Sequence, residues 1–114
     1  VERKVSKNLR TGQNYTKGTV PTCVWEKNNH TTSNDYCGWH ATTKNLDILQ
    51  RIIKAYTNEN DLVLDCFMGS GSTAIASKLS NRDYIGCERD KEYHTRLIDR
   101  VNSYDRINTL SAIL

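Results

Sequence analysis

The sequence contains little proline and no long apolar run. It contains one proline, Pro21, so no segment with two neighbouring prolines exists among its 114 residues. No apolar run approaches the roughly 18 residues that a membrane-spanning helix needs. No signal-peptide pattern is present either. We therefore expect a protein without a membrane partner, in a reducing cytoplasm.

Apolar material is also scarce. Hydrophobic residues make up 37% of the chain, which leaves little for an independent core. The sequence indicates two strand-helix units, residues 61–80 and 83–103, and a further strand at 19–25. So few strands would leave long unpaired edges. We therefore expect this chain to be marginally stable or prone to aggregation on its own.

Positive charge is concentrated at one end of the chain. Residues 1–20 hold five basic residues and one acidic residue, whereas the remainder holds eleven basic and twelve acidic residues. The basic residues of this arm are Arg3, Lys4, Lys7, Arg10 and Lys17. Such an arm can neutralise DNA phosphates, although a flexible, solvated terminus has the same composition. Both interpretations stay open for residues 1–18.

Residues 65–73, D-C-F-M-G-S-G-S-T, carry the strongest functional signal. They follow the aliphatic run 62–64, which predicts a buried parallel strand, and precede a helix that we expect Ser72 to cap. Gly69 and Gly71 allow a tight turn and leave no side chain between the backbone and a ligand. The unpaired N–H groups at a helix start favour an anion. The stretch therefore predicts a loop that cradles a cofactor.

A second predicted strand, residues 84–87, ends at Glu88, where a carboxylate can accept hydrogen bonds from ribose hydroxyls. Gly69, Gly71 and Ala74 also fit the pattern G-x-G-x-x-G/A, so a nicotinamide or flavin dinucleotide is an alternative ligand. Asp65 disfavours it, because a carboxylate at this position would repel a pyrophosphate. The same carboxylate favours a ligand with a cationic amine and a sulfonium, such as S-adenosylmethionine.

Two helices are marked by their first residues. Asn45 is a good N-cap for a helix that precedes the first strand, and Asp90 is one for the last helix. Residues 105–114 show no clear periodicity and are predicted to form a tail. Helical spacing predicts two sets of core-facing positions. They are Leu46, Leu49, Ile52, Ile53 and Tyr56 in the first helix, and Tyr93, Leu97, Ile98, Val101 and Tyr104 in the last.

Two cysteines and two histidines could form a tetrahedral zinc site. They are Cys23, His30, Cys37 and His40. Their spacing fits no common finger pattern, so we predict no metal and assign His40 to a segment near the cofactor. Cys66 and Cys87 are predicted to be reduced and buried in the strands.

Four segments together resemble one protein family. Residues 65–73 resemble the D-x-F-x-G-S-G-T-T cofactor motif of bacterial and phage amino-group DNA methyltransferases. Residues 40–45, H-A-T-T-K-N, resemble that family's H-P-T-x-K-P segment, with Ala41 and Asn45 in place of prolines. Residues 84–88, Y-I-G-C-E, resemble its Y-I-G-x-E strand, and residues 93–101 resemble its closing helix. The resemblance implies an α/β fold, a partial Rossmann-like methyltransferase sheet with flanking helices, whose cofactor-binding part is residues 19–104.

The resemblance implies binding of S-adenosylmethionine and methyl transfer to the exocyclic amine of adenine (N6) or cytosine (N4) in DNA, in a prokaryotic or phage-infected cell. Seven cofactor contacts are implied: Asp65, Phe67, Gly69 and Gly71 at the methionine end, Glu88 at the ribose, and Thr42 and Lys44 near the methionine carboxylate.

One family motif has no counterpart in this chain. The family transfers the methyl group at a [DNS]-P-P-[YFW] segment, and a chain with one proline cannot contain it. In one subclass that segment comes first and the cofactor motif last. The resemblance therefore implies the C-terminal portion of such an enzyme, with no catalytic residue of its own and with a separate catalytic half or second subunit as partner. Two alternatives stay open: a non-catalytic module that binds S-adenosylmethionine or DNA, and a piece of a dinucleotide-dependent oxidoreductase.

Overall fold

The computed structural model describes residues 35–113, with side chains described for residues 35–104. The predicted arm at 1–18 and the predicted strand at 19–25 lie outside this part. The elements in chain order are α1 (Leu46–Tyr56), β1 (Leu62–Asp65), α2 (Ser72–Leu79), β2 (Asp83–Gly86) and α3 (Lys91–Ile113). None of these described helices has both the length and the apolar composition that crossing a bilayer demands.

The predicted caps of the first and last helices are confirmed. The Asn45 side chain accepts a hydrogen bond from the Ile48 N–H, at 3.2 Å, and so starts α1. The Asp90 carboxylate accepts from the N–H groups of Glu92 and Tyr93, at 2.9 and 3.0 Å. Each cap satisfies N–H groups that the first turn of a helix leaves without a partner.

The two described strands form one parallel pair joined through α2. In their register Val63 lies opposite Tyr84 and Leu64 lies opposite Ile85. A parallel pair needs a crossover connection, and α2 supplies it. Both strands therefore end at the same edge of the sheet, which brings the segments that follow them together.

The helices cover one face of this sheet. Val63 and Tyr84 point to that face and pack, half-buried, against a cluster of fully buried apolar side chains. The cluster consists of Leu46, Ile53, Met68, Ala74, Ile75, Ala76, Leu97 and Val101. It draws on all three helices and on the loop after β1, so the core fixes the loop relative to the helices.

The opposite face of the sheet is exposed, and the prediction of a fully buried strand is wrong there. Leu62, Leu64 and Ile85 are 63%, 64% and 54% exposed. Alternation along a strand sends successive side chains to opposite faces, and no described element packs against this one. Cys66 and Cys87 are free, as predicted, but they are also exposed, not buried.

The helices differ from the prediction at their far ends. Tyr56, the last residue of α1, is 85% exposed, and Ile52 and Ile98 are also exposed, so the buried stripe of each helix is narrower than the apolar pattern. Residues 105–113, which were predicted to form a tail, continue α3. They contain neither glycine nor proline to end the helix.

An arginine joins the ends of two helices. Arg82 is buried, and its guanidinium donates to the Thr57 hydroxyl at 2.9 Å, to the Thr57 carbonyl at 2.7 Å and to the Ser80 carbonyl. Thr57 follows α1 and Ser80 follows α2. The side chain therefore ties both C-terminal ends to the start of β2.

Candidate cofactor-binding site

The loop between β1 and α2 depends on two glycines with left-handed backbone. Gly69 has φ +51° and Gly71 has φ +78°, a region that side chains with a Cβ avoid. A Cβ on Gly69 would lie 2.8 Å from the His40 ring, and a Cβ on Gly71 would lie 3.1 Å from Val101. Both positions therefore need glycine for conformation as well as for space.

The start of α2 differs from the prediction. Gly71, not Ser72, is the N-cap, and no side chain caps the helix. The Ser72 hydroxyl instead lies 3.0 Å from the Ser70 hydroxyl, and both serines are buried. In the described part of the chain no side chain therefore satisfies the first N–H groups of α2, the groups that favour an anion at a helix start.

Glu88 contacts the glycine loop. The sequence predicts this proximity, because the loop and Glu88 follow two strands of one β-α-β unit. One carboxylate oxygen, Oε2, accepts from the Gly69 N–H at 2.8 Å. The other, Oε1, accepts from the Asp90 N–H at 2.8 Å. Because each carboxylate oxygen has two lone pairs, both retain capacity for a ligand hydroxyl.

These bonds keep the Glu88 side chain ionised. The N–H of Asp90, followed by the N–H of Gly69, lowers the pKa of the Glu88 carboxyl below its ordinary value of 4.5. Burial and the Asp90 charge oppose this effect, and His40 adds to it. A carboxylate at neutral pH is the form that accepts hydrogen bonds from a diol.

Asp65 and Phe67 shape the beginning of the loop. The Asp65 Oδ1 accepts from the Phe67 N–H at 2.9 Å, and in the part of the chain that is described Oδ2 has no hydrogen-bond partner. The Phe67 side chain is 90% exposed, while the neighbouring Met68 is buried against the core. Asp65 thus offers a free carboxylate oxygen, and Phe67 offers an exposed ring.

Thr42 and Lys44 lie in the segment before α1, and both are exposed. The Lys44 ammonium donates to the Thr42 carbonyl at 2.8 Å. The Thr42 hydroxyl lies 3.5 Å from Nδ1 of His40, whose ring contacts the glycine loop. The segment is therefore adjacent to the loop through His40, while the two predicted side chains themselves face solvent.

An aromatic cluster behind His40 was not predicted. The His40 ring packs edge-on against Tyr93, with centroids 4.9 Å apart, and Trp39 lies 6.0 Å from Tyr93. Arg96 lies over the Trp39 ring at 5.8 Å. These contacts attach the segment before α1 to the first turns of α3. The adjacent aromatic residues 39 and 40 are a weak sequence signal for such a cluster.

A cavity of about 170 Å³ opens between β2 and α3. Met68, Tyr84, Gly86 and Glu88 line it on the sheet side. The residues of α3 that line it are His94, Leu97, Ile98, Val101 and Asn102. Ligand pockets usually measure roughly 300–1,000 Å³, so this cavity holds at most part of a nucleoside-sized ligand, next to the Glu88 carboxylate.

Metal ligands do not converge among the described residues, where no group of three or more histidine, cysteine or acidic side chains is placed to hold an ion. Two members of the zinc alternative, Cys23 and His30, lie outside the described part of the chain.

Comparison with known proteins identifies the family. The sequence profile of a DNA methylase family matches residues 2–99. The chain belongs to this family. The chain is similar to the type II methyltransferase M1.MboII of Moraxella bovis, with 57% identity over 54 residues, which are 47% of this chain and 21% of that protein. It is also similar to M.HpaI of Haemophilus parainfluenzae, with 36% identity over 99 residues, which are 83% of this chain and 32% of that protein.

A solved structure supports the same assignment. The crystal structure of the M1.HpyAVI-SAM complex matches 53% of this chain and 31% of that one, with 47% identity and a TM-score of 0.51. The predicted family and α/β fold class are thereby confirmed. The chain spans less than a third of the length of each of these three relatives.

Proposed function

We propose that this chain is the S-adenosylmethionine-binding part of an amino-group DNA methyltransferase. The observation that carries the proposal is the 2.8 Å hydrogen bond between the Gly69 N–H and Glu88, which joins the glycine loop to an acidic side chain at the end of the second strand. A glycine turn, a free helix start and a carboxylate together suit a ligand with a carboxylate, a cation and a ribose diol.

Each part of the ligand has a partner in this proposal. Glu88 accepts from the ribose hydroxyls, for which its oxygens retain lone pairs. The free oxygen of Asp65 attracts the amine and sulfonium charges. Gly69 and Gly71 let the backbone approach the methionine end. Thr42 and Lys44 turn from solvent towards the methionine carboxylate, and Phe67 contributes an exposed ring to the same end.

S-adenosylmethionine supplies a methyl group on a positively charged sulfur. In the proposed reaction an exocyclic base nitrogen attacks that carbon, the carbon–sulfur electron pair returns to sulfur, and the nitrogen loses a proton. This chain's residues contribute position and charge complementarity, which lower the entropic part of the barrier. The acceptor for that proton and the surface that holds the flipped base belong to the [DNS]-P-P-[YFW] segment, which we propose a separate catalytic half supplies.

The proposal predicts the affinity of the chain for S-adenosylmethionine in calorimetric titration. Glu88→Ala and Asp65→Ala should each weaken binding by about tenfold, equivalent to about 1.4 kcal/mol. Asp83→Ala is the matched control, because this exposed carboxylate lies at the opposite end of β2. Titration with NADH tests the oxidoreductase alternative. Unchanged heats for both site variants would refute the proposed site.

DNA methylation in this family uses a [DNS]-P-P-[YFW] segment, which these 114 residues do not contain. We propose that the chain gains activity only when it is combined with a polypeptide that carries the [DNS]-P-P-[YFW] segment. Transfer of labelled methyl groups to DNA by the mixture, and not by either component, would support this proposal. Binding of the cofactor without any gain on mixing would favour a non-catalytic module.

A further inference from the structure

One arginine connects three segments around the glycine loop. Arg100 lies on α3 and is half-buried. Its Nη1 donates to the Ser70 carbonyl at 2.8 Å and to the Ser72 hydroxyl at 3.1 Å. Its Nη2 donates to the Asp35 carbonyl at 2.9 Å. All three acceptors are neutral, so the guanidinium acts here as a planar donor with fixed geometry and not as half of an ion pair.

Two of these acceptors belong to the loop itself. Ser70 lies between Gly69 and Gly71, and Ser72 is the first residue of α2. Glycines on both sides of Ser70 allow its peptide units to rotate freely unless something fixes them. The hydrogen bonds from Arg100, which lies on α3, fix the positions of the Ser70 carbonyl and the Ser72 hydroxyl. They thereby restrict the orientation of the peptide units on either side of Ser70.

The third acceptor reaches the segment before α1. The Asp35 carboxylate accepts from the N–H of Leu46, the first residue of α1, at 2.9 Å, while its carbonyl accepts from Arg100. The chain between Asp35 and Leu46 contains Thr42 and Lys44. In the middle of this segment, the His40 ring occupies the space that a side chain at position 69 would need. Arg100 therefore bonds both to the glycine loop and to Asp35, at the start of the segment that contains residues 40–44.

We propose that Arg100 is a positioning residue for the methionine end of the cofactor site, an inference that rests on the proposed function. Its side chain contacts no ligand. It keeps the glycine loop and residues 40–44 at the separation that the amino-acid end of S-adenosylmethionine requires. The ribose end depends on Glu88, whose hydrogen bonds come from Gly69 and Asp90 and not from Arg100.

The affinities of two ligands distinguish a positioning role of Arg100 from a general loss of folding. S-adenosylhomocysteine has the amino-acid end, and 5′-methylthioadenosine lacks it but retains the ribose and the base. In calorimetric titration of the full chain, Arg100→Met should weaken S-adenosylhomocysteine binding about tenfold and 5′-methylthioadenosine binding less than about twofold. Arg100→Lys, which can donate to one of the acceptors, should restore part of the loss. Glu88→Ala should weaken both ligands.

Lys54→Met is the matched control. Lys54 is exposed in the last turn of α1, so the variant removes a long cationic side chain without removing a hydrogen bond to the loop. It should bind both ligands as the unmodified chain does. Equal losses for the two ligands in Arg100→Met, or in Arg100→Lys if the former does not fold, would overturn the inference. Unchanged affinities would overturn it as well. If the unmodified chain bound neither ligand, the proposed function itself would fail.

Discussion

At the scale of single residues, Glu88 combines two tasks. Its carboxylate accepts the N–H of Gly69 and that of Asp90, and so stabilises the glycine loop and the turn before α3. A neutral carboxyl group loses one acceptor oxygen to its own proton. The charged form of Glu88 therefore stabilises the loop more than the neutral form does, and in the proposed site the same charge faces a ribose diol.

This dependence predicts how stability varies with pH. The pKa of Glu88 is lowered by folding, so its contribution is complete above the ordinary value of 4.5 and is lost as the pH falls through the lower folded value. Glu88→Gln should cost about 1 kcal/mol at neutral pH, and this cost should vanish in acid. Thermal unfolding between about pH 3 and 7 measures it. Asp99→Asn, at an exposed position of α3, is the control, and a cost that did not change with pH would contradict this account.

At the scale of elements, the sequence predicts those features that depend on residues close together in the chain. The caps Asn45 and Asp90 bond to residues two or three positions away, and the glycine turn needs only Gly69 and Gly71. Signals of this range are visible in the sequence itself. The contact between Gly69 and Glu88 spans nineteen residues and could still be predicted, because a β-α-β unit brings strand ends together.

Longer connections could not be predicted. Arg100 bonds to residues 28, 30 and 65 positions away, and Arg82 bonds to Thr57, 25 positions away. Nothing in local spacing distinguishes these arginines from solvated ones. Ser72 was the expected cap, but the left-handed Gly71 takes that position, and Ser72 turns to Ser70 and Arg100.

Arg82 provides a test at this scale. Arg82→Met removes three hydrogen bonds and leaves the Thr57 and Ser80 carbonyls without their donor. We expect a loss of about 2–3 kcal/mol in the free energy of unfolding, measured by urea denaturation. Arg89→Met is the control, since Arg89 is exposed and lies three residues after the end of β2. Equal stabilities of the two variants would show that the junction of α1, α2 and β2 does not depend on the guanidinium.

At the scale of the whole molecule, the described part has one covered and one exposed sheet face. Local apolar patterns predict that a residue is hydrophobic, but they cannot tell which side of a sheet this chain itself covers. The sequence therefore predicted Leu62 and Leu64 as buried, and the structure exposes both.

Leu64→Glu tests this exposure directly. Because the side chain contacts solvent, the substitution should change the free energy of unfolding by no more than about 0.5 kcal/mol. It should also lower the fluorescence of 8-anilinonaphthalene-1-sulfonate, a dye that binds accessible apolar surface. Val63→Glu, on the covered face, should instead destabilise the chain strongly. Similar losses of stability for both variants would mean that Leu64 is covered.

A molecule that covers the exposed side chains of Leu62, Leu64 and Ile85 should bind with a measurable change in heat capacity. Water over apolar side chains raises the heat capacity of the solution, and releasing it lowers that heat capacity. Association at this face should therefore become more exothermic as the temperature rises, whereas cofactor binding at the strand ends leaves that hydration in place.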